Sequence, residues 1–365
     1  MPKTLIIAEA GVNHNGSEEL AFKLVDAAIA SGVDIVKFQT FVTSNLVTKS
    51  AEQASYQKEN TGKEQSQYQM LKQLELSFES HKAIKDYCSV QGIEYLSTAF
   101  DSESLAFLVN DLKLTRLKIP SGELTNTPFV LEHALTGCNI ILSTGMAKLD
   151  EIEFALSVIA FGYMNKKTRK TPNLQNFKES YNSYEGQQIL KEKVTILHCT
   201  TEYPAPFNEV NLKAIGLMHN EFSLPIGYSD HTDGIVIPTA AVALGAAIIE
   251  KHFTLSKSMD GPDHKASIEP DELTKMVQNI RVVELALGQA IKEPTQSELK
   301  NKAVARKSIV AKCFIAKGQV LNSENIVILR PGTGISPTQY YDILGSKAVK
   351  DFGCGELITL DIAKN

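Results

Sequence analysis

Short runs of apolar and β-branched residues recur along the first 250 positions, and each is followed by a polar stretch and then by helical spacing. The eight runs are residues 5–8, 34–38, 93–96, 116–119, 139–142, 194–197, 224–227 and 247–249. Continuous apolar strands that alternate with helices are typical of a parallel sheet covered by helices. Eight such units predict a closed (β/α)8 TIM barrel, with an open doubly wound sheet as the alternative.

Helix boundaries are visible between these strands. Ser17 precedes an acidic first turn and an amphipathic stretch, and Gly32 follows that stretch. Ser77 and Gly92 flank residues 78–91 in the same way. Serine is a favoured N-cap and glycine a favoured C-terminal residue, so both segments are predicted to be helices.

The pattern changes in two places. Residues 163–190 are rich in Lys, Asn, Gln, Ser and Tyr, and we interpret them as a surface insertion, in part disordered. Residues 289–304 carry many charges and predict a linker, and residues 305–365 show short apolar runs separated by turns. We therefore expect a barrel over residues 1–288 and a small β-rich domain at the C-terminus.

Composition and charge exclude several classes of protein. The 365 residues include 37 Lys and Arg against 42 Asp and Glu, a formal charge of −5, which argues against a general binder of nucleic acid or anionic membrane. The longest apolar run, 235–249, falls short of the roughly 18 to 20 residues of a membrane span, and the N-terminus lacks a signal-peptide pattern. Five cysteines without CxxC spacing indicate neither a disulfide framework nor a zinc knuckle, so we expect a cytoplasmic protein.

Polar residues stand at or just after the carboxyl ends of the eight strands, where barrel enzymes carry their catalytic groups. They include Glu9, Lys37, Gln39, Thr98, Lys118, Ser121, Glu123, Ser143, His198, Tyr203, Asp230 and His231. Side chains repeat every two residues along a strand, so Lys37 and Gln39 share a face. By the same reasoning we expect His198 to face the barrel mouth and Cys199 to face outward, as a packing residue.

Two lysines lie inside apolar strands. Burying the ammonium group of Lys37 or Lys118 is costly unless it is paired or meets an anion, so the two predict an anionic substrate, a phosphate or a carboxylate. Thr98, Ser121 and Ser143 are either additional donors to that anion or helix caps. No phosphate-binding glycine motif occurs in the sequence, so a nucleotide site is not indicated.

His198 and His231 end consecutive strands, and a His pair near carboxylates suits a divalent first-row metal. The structural alternative is two hydrogen-bonded histidines at the rim. Asp230 is predicted to orient a ligand from behind. Three other histidines are weaker candidates: His14, His252 and His264.

Nine segments together resemble one family. They are IAEAGVNHNG (7–16), VKFQT (36–40), KIPSGE (118–123), STGM (143–146), LHCT (197–200), YPAP (203–206), SDHT (229–232), EKHFT (250–254) and RPGTG (330–334). In this order they resemble the bacterial sialic acid synthase family, N-acetylneuraminate synthases in particular. The resemblance covers residues 4 to 361 and includes the family's C-terminal antifreeze-like (SAF) domain.

The resemblance implies condensation of phosphoenolpyruvate with N-acetylmannosamine to give N-acetylneuraminate and phosphate. It also implies a divalent metal, Mn²⁺ before Mg²⁺ or Co²⁺, and a homodimer with exchanged C-terminal domains. Relatives that make legionaminic or pseudaminic acid from 2,4-diacetamido sugars share the phosphoenolpyruvate half of the site, so they form the alternative. Two further hypotheses are a Schiff-base aldolase using Lys37 or Lys118, and a non-catalytic sugar- or ice-binding module.

The resemblance also implies roles for individual residues. It gives the metal to His198 and His231, and the phosphoenolpyruvate carboxylate to Lys37, Thr98 and Ser143. It gives the phosphate to Lys118 and Ser121, acid, base and sugar contacts to Glu9 and Glu123, and further substrate contacts to Gln39 and Tyr203. Asn60 matches a loop residue near phosphoenolpyruvate, and Arg330 matches an arginine that reaches the sugar in the partner subunit.

Overall fold

The computed structural model describes residues 3–54, 57–58, 65–166 and 170–360. The chain divides into two compact units, Met1–Gly288 and Gln289–Asn365. Asn60 lies outside the described residues, so its predicted role near phosphoenolpyruvate has no structural counterpart here.

Eight parallel strands close into a barrel in the first unit, with β1 paired to both β2 and β8. They are β1 Leu5–Gly11, β2 Ile35–Thr40, β3 Glu94–Ala99, β4 Arg116–Ile119, β5 Asn139–Ser143, β6 Val194–Cys199, β7 Ile226–Asp230 and β8 Ile248–His252. The predicted (β/α)8 barrel is confirmed. Most strands continue beyond their apolar run into polar residues, because the carboxyl end of the barrel carries a polar cavity rather than more core.

Helices connect the strands. Their bounds are Glu18–Ser31, Thr43–Leu46, Gln67–Leu74, Phe78–Gln91, Ser102–Asn110, Thr127–Thr136, Leu149–Asn165, Leu174–Asn182, Tyr184–Lys193, Ala214–Phe222, Val236–Ala243 and Pro270–Leu287. Ser17 Oγ accepts a hydrogen bond from the Leu20 amide at 3.3 Å, and Gly32 ends the same helix with a φ of 76°, as predicted. None of the described helices has the length and apolar content that a membrane span requires.

The barrel interior contains a small apolar cluster, which we call the inner layer. Its buried members are Ile7, Ile35, Leu96, Ile141, Leu197 and Ile248. Because side chains alternate along a strand, the residue two positions later in each strand also points inward, one step nearer the carboxyl end. The inner layer therefore forms the base on which the polar residues of the barrel mouth stand.

The segment predicted as a partly disordered surface insertion is largely helical. Helices Leu174–Asn182 and Tyr184–Lys193 lie between β5 and β6, and they bury Phe177 and Leu190. The Phe177 ring packs edge-on against Phe161, with 5.1 Å between ring centroids. The expected disorder is not found in the described residues, because a few apolar side chains at helical spacing dock these polar helices on the core.

The second unit begins with helix Gln296–Ala305, which occupies most of the segment predicted as a linker. Strands β9 Ser308–Ala311 and β10 Ile326–Leu329 then pair antiparallel, and two short helical turns follow at Pro337–Gln339 and Tyr340–Ile343. Buried apolar residues form a separate small core: Ile309, Ala311, Ile315, Leu321, Ile326, Ile343, Ala348, Phe352 and Ile358. The predicted small β-rich domain is confirmed.

Candidate active site

A cavity of about 340 Å³ opens among the carboxyl ends of the barrel strands. Ten residues predicted from the sequence line it: Glu9, Lys37, Gln39, Thr98, Lys118, Ser121, Glu123, Ser143, Tyr203 and His231. These ten predicted residues therefore lie together around one cavity. Further polar residues line the same cavity, among them Ser229, Glu250, His252 and Asp263.

Four buried charges form the base of the cavity, which we call the charged floor: Glu9, Lys37, Lys118 and Glu250. Lys37 Nζ lies 2.5 Å from Glu9 Oε2 and 3.6 Å from Glu250 Oε2. Lys118 Nζ lies 3.2 Å from Glu250 Oε1. Each of the four side chains is at most 5% exposed, so the pairs replace hydration that the ions have lost.

The titration of these groups follows from burial and pairing. Burial opposes the charge on Lys37, but the carboxylates of Glu250 and Glu9 outweigh it and raise the pKa of this ammonium group. Burial raises the pKa of Glu9, although Lys37 opposes the rise. For Glu250 burial is outweighed by Lys118 and Lys37, so the pKa of this carboxyl is lowered. The floor thus holds Lys37 as a cation and Glu250 as an anion.

Hydroxyl groups surround the charged floor. Lys37 Nζ donates to Thr98 Oγ1 at 3.1 Å, and Ser229 Oγ donates to Glu250 Oε1 at 2.8 Å. Ser143 Oγ is buried and has no hydrogen-bond partner among the described residues. A buried hydroxyl without a partner is costly, so Ser143 is suited to donate to a ligand in the cavity.

Part of the cavity lining is apolar. Residues Val12, Phe41, Leu46, Val47, Met70, Leu71, Leu74 and Phe100 line it, and we call them the apolar wall. Most of them belong to a hydrophobic cluster separate from the main core. The cavity therefore has one face for an anion and another for methyl or methylene groups.

The predicted metal pair does not form. His198 Nε2 lies 2.6 Å from the carbonyl oxygen of Val210, and its ring lies 5.8 Å from that of Tyr228, so His198 does not line the cavity. Cys199 lines it instead, with Sγ 3.2 Å from Ser121 Oγ. The orientation predicted for β6 is wrong.

The inner layer explains this error. Glu9, Lys37 and Glu250 each follow an inner-layer residue by two positions, and Leu197 is the inner-layer residue of β6. The same spacing assigns Cys199, not His198, to the cavity. The apolar neighbours of His198, and not its reactive side chain, determine which face of β6 points inward.

His231 has a different histidine beside it. The ring centroids of His231 and His252 lie 5.6 Å apart, and the ring centroid of Tyr203 lies 4.1 Å from that of His231. Burial lowers the pKa of His231 to about 4 and lowers the pKa of His252 well below its usual value, so both imidazoles are neutral near pH 7. A neutral imidazole is the form that binds metals.

Asp263 lies next to this histidine pair. His252 Nδ1 is buried 3.9 Å from Asp263 Oδ2, which is too long for a hydrogen bond. Burial raises the pKa of Asp263 to about 7, and Glu9 adds to the rise. Within the described ranges, no three His, Cys, Asp or Glu side chains are arranged to hold a metal ion. The two imidazoles supply at most two protein ligands.

Two other predicted residues do not line the cavity. Asp230 is fully buried on the outward side of β7, where it pairs with Lys251, so it lies behind the cavity and makes no direct contact with a substrate there. Arg330 belongs to the second unit, is exposed, and donates from Nε to the Ala305 carbonyl at 3.1 Å. Its predicted contact with the sugar stays a prediction.

The folded chain can now be compared with known proteins. A model of the NeuB family matches residues 24–292, and a model of the SAF domain matches residues 306–361. The chain belongs to the NeuB family. The resemblance to sialic acid synthases that its motifs indicate is thus confirmed at the level of the family.

The relatives of this NeuB-family chain include sugar acid synthases. It is 48% identical to N,N'-diacetyllegionaminic acid synthase of Campylobacter jejuni, over 98% of this chain and 99% of that one. It is 45% identical to the enzyme of the same name from Legionella pneumophila, over 96% and 92%. A crystal structure of N-acetylneuraminic acid synthetase from Leptospira borgpetersenii matches with a TM-score of 0.65 and 31% identity, over 82% and 90%.

The sequence carries a signal for Glu250, which was not predicted to line the site, and for His252, which was only a weaker candidate. Glu250 and His252 are two positions apart and follow Ile248 of the inner layer, so their alternation indicated a shared inward face. Asp263 gives no such signal, because it lies in a loop after β8 where neither strand nor helical periodicity applies. Its place beside His252 depends on the folded path of that loop.

Proposed function

We propose that this protein condenses phosphoenolpyruvate with a 2,4-diacetamido sugar, forming N,N'-diacetyllegionaminic acid and phosphate. The observation that carries the proposal is the 48% identity, over nearly the whole of both chains, to a synthase of that name. The first hypothesis from the sequence, an N-acetylneuraminate synthase using N-acetylmannosamine, becomes the second candidate. It is supported by the lower identity, 31%, to a synthetase of N-acetylneuraminic acid.

The charged floor supports the phosphoenolpyruvate half of the proposal. The ammonium groups of Lys37 and Lys118 can exchange part of their contact with Glu9 and Glu250 for the carboxylate and phosphate of the substrate. Such charge-assisted hydrogen bonds are stronger than neutral ones. Ser143 Oγ adds a donor that is already desolvated.

The apolar wall supports an acetamido sugar. Its side chains offer contact surface for acetamido methyl groups, whereas a sugar with only hydroxyl groups would lose hydrogen bonds to water there. Glu123 lines the same cavity and accepts a hydrogen bond from Asn126 Nδ2 at 2.7 Å, which holds its carboxylate in place. This arrangement can orient the sugar hydroxyl and amide groups against the charged floor.

The reaction needs one proton donor and one proton acceptor. Carbon 3 of phosphoenolpyruvate attacks the sugar aldehyde, whose oxygen takes up a proton. Asp263 lines the cavity, and burial raises its pKa to about 7, so this carboxyl is suited to donate that proton. Water then adds to carbon 2 and loses a proton, for which Glu9 is the acceptor. The resulting tetrahedral carbon expels phosphate, which takes the proton of the carbon-2 hydroxyl as the ketone forms.

We further propose that His231 and His252 hold the divalent ion, Mn²⁺ before Mg²⁺ or Co²⁺. The fit rests on two buried neutral imidazoles in the cavity, with 5.6 Å between ring centroids; the Nδ1 of His252 has no hydrogen-bond partner among the described residues. When bound, the ion would act as a Lewis acid toward the sugar aldehyde. His198 is not part of this set, because its ring faces away from the cavity.

The test is release of phosphate from phosphoenolpyruvate in the presence of each sugar and Mn²⁺. The proposal expects the 2,4-diacetamido sugar to have at least a tenfold higher kcat/KM than N-acetylmannosamine, which corresponds to about 1.4 kcal/mol. Chelation should abolish turnover, and added Mn²⁺ should restore it. A higher kcat/KM for N-acetylmannosamine would instead support an N-acetylneuraminate synthase. Turnover that chelation leaves unchanged would overturn the metal proposal.

A Schiff-base aldolase is disfavoured by the charged floor. Such an enzyme needs a neutral amine, whereas the pKa of Lys37 is raised by two carboxylates and Lys118 is paired with Glu250. Borohydride treatment in the presence of pyruvate or either sugar should therefore leave the mass of the protein unchanged. A borohydride-stable adduct on either lysine would contradict the condensation mechanism.

The predicted homodimer with exchanged C-terminal domains can be tested by complementation. If the partner's Arg330 serves each site, Lys37→Met and Arg330→Ala are each inactive as homodimers. A mixed dimer then regains one competent site, formed by the intact barrel and the intact arginine of the other chain. Arg306→Ala, which removes another exposed arginine of the second unit, is the control. Absence of regained activity in a verified mixed dimer would exclude the exchange.

A further inference from the structure

Two fully buried charges lie behind the cavity, on the outward face of the barrel wall. Lys251 Nζ lies 2.6 Å from Asp230 Oδ2, and neither side chain has exposed surface. The two residues are register partners in β7 and β8. Neither of them lines the cavity, so their ion pair does not contact a substrate held there.

The ion pair holds the backbone next to His231 through hydrogen bonds to Thr232. Asp230 Oδ1 accepts hydrogen bonds from the amide and the hydroxyl of Thr232, at 3.0 and 2.8 Å. Lys251 Nζ also donates to the carbonyl oxygen of Thr232. Asp230 and Thr232, which flank His231, are thereby linked by hydrogen bonds. Lys251 connects both of them to β8, the strand that ends at His252.

The inward face of the same strands carries the cavity residues. Ser229 and Glu250, the preceding register partners, are joined by a hydrogen bond of 2.8 Å. His231 and His252 come two positions later on that face. A change in the separation of β7 and β8 at the ion pair would therefore move the two imidazoles relative to each other.

Stability alone does not explain the pair. Desolvating two charges costs several kcal/mol per ion, and replacing a buried pair with uncharged residues of similar volume is often neutral or stabilising. The Tyr228 hydroxyl donates to Asp230 at 3.0 Å, so this carboxylate accepts four hydrogen bonds in all from three residues. So many directional contacts define a geometry more closely than apolar packing would.

We propose that Asp230 and Lys251 are positioning residues that set the separation and orientation of the His231 and His252 imidazoles. The inference rests on the proposed function, in which those imidazoles hold the metal next to the sugar aldehyde. Asp230 is thereby given a role through His231 rather than a contact with substrate, and Lys251 enters as its partner.

The central variant is the double substitution Asp230→Asn/Lys251→Met, which removes both charges at similar volume. We expect its Tm to stay within about 3 °C of the wild type, because no charge is left unpaired. We expect kcat to fall by roughly ten- to a hundredfold, the effect of small displacements of catalytic groups, with the KM for phosphoenolpyruvate unchanged. The dissociation constant for Mn²⁺, measured by electron paramagnetic resonance, should rise.

Lys251→Arg is the conservative variant and should keep most of the wild-type kcat, because a guanidinium can donate to the same two acceptors, Asp230 Oδ2 and the Thr232 carbonyl oxygen. The matched control is Arg281→Met. It breaks a pair of 2.8 Å between Arg281 and Asp34 beside the amino-terminal ends of β1 and β2, and should lower Tm without changing kcat. A double variant with wild-type kcat and Mn²⁺ affinity would overturn the inference.

A readout independent of turnover separates this inference from the proposed function. In histidine-labelled protein, the imidazole ¹⁵N resonances of His231 and His252 should shift in the double variant and not in Arg281→Met. If the wild type turns over neither sugar, the proposed function fails, and these resonances still test the positioning. Unshifted resonances would refute it.

Discussion

Replacing Lys37 with methionine should destabilise the protein in a way that depends on pH. Lys37 Nζ lies 2.5 Å from Glu9 Oε2, and both side chains are at most 3% exposed. Removing one partner of a buried pair typically costs about 3 to 5 kcal/mol of unfolding free energy. Glu9 can limit this cost by binding a proton, because burial already raises its pKa.

The sign follows from the pKa of Glu9. Without Lys37 the folded-state pKa rises further above the unfolded value of 4.5, so the folded protein holds a proton that the unfolded chain has lost. Stability then falls as pH rises through the interval between the two pKa values, by at most about 1.4 kcal/mol per pH unit. Between pH 6 and pH 8 the penalty of Lys37→Met should grow by up to about 2.7 kcal/mol.

Urea unfolding at pH 6 and pH 8 measures this difference. The double variant Glu9→Gln/Lys37→Met should recover most of the lost stability at pH 8, because no buried charge is left without a partner at Glu9. It should not recover turnover, since the ammonium contact with phosphoenolpyruvate is still missing. Lys23→Met, which breaks an exposed pair with Glu19, is the control and should cost nothing measurable. An equal penalty at both pH values, or a double variant as unstable as the single one, would refute the reasoning.

Three further predictions concern single side chains. Ser143→Ala should raise the KM for phosphoenolpyruvate about tenfold without lowering Tm, because the lost hydroxyl has no partner in the described protein; steady-state kinetics and calorimetry check this. His133→Phe should make the protein less sensitive to acid. Burial lowers the pKa of His133 to about 4, so as pH falls below about 6.5 the unfolded chain binds this proton before the folded protein does. The wild type should therefore lose about 2.5 kcal/mol of unfolding free energy from this group between pH 8 and pH 4.5, as measured by denaturant titration. Phe177→Ala should cost about 3 to 5 kcal/mol with kcat unchanged, whereas a detached insertion would show no loss of stability.

The sequence predicts the barrel well, because the evidence for each strand is local. An apolar run such as 139–142 identifies a buried strand without knowledge of its neighbours, and residues at strand ends such as Lys37 and Ser143 then converge by topology. Which face of a strand points into the barrel depends on more than its own sequence. The sequence analysis predicts that His198 faces the cavity, whereas the inner layer places Cys199 there. Asp263 could not be predicted, because a loop position beside His252 depends on the fold of the whole barrel.

The inner layer has a consequence for how ionic strength acts on this protein. Six aliphatic side chains lie directly beneath the charged floor, so solvent ions reach the four charges through the cavity mouth and not from the barrel interior. Buried pairs of 2.5 and 3.2 Å are screened far less than exposed charges, whose range of about 8 Å at physiological salt shrinks to about 3 Å at 1 M. Added salt should therefore slow the entry of phosphoenolpyruvate while leaving the Lys37–Glu9 and Lys118–Glu250 pairs intact. The inner layer keeps solvent ions away from the charged floor on that side. The rate of substrate binding is therefore sensitive to salt, whereas the buried ion pairs that bind the substrate are not.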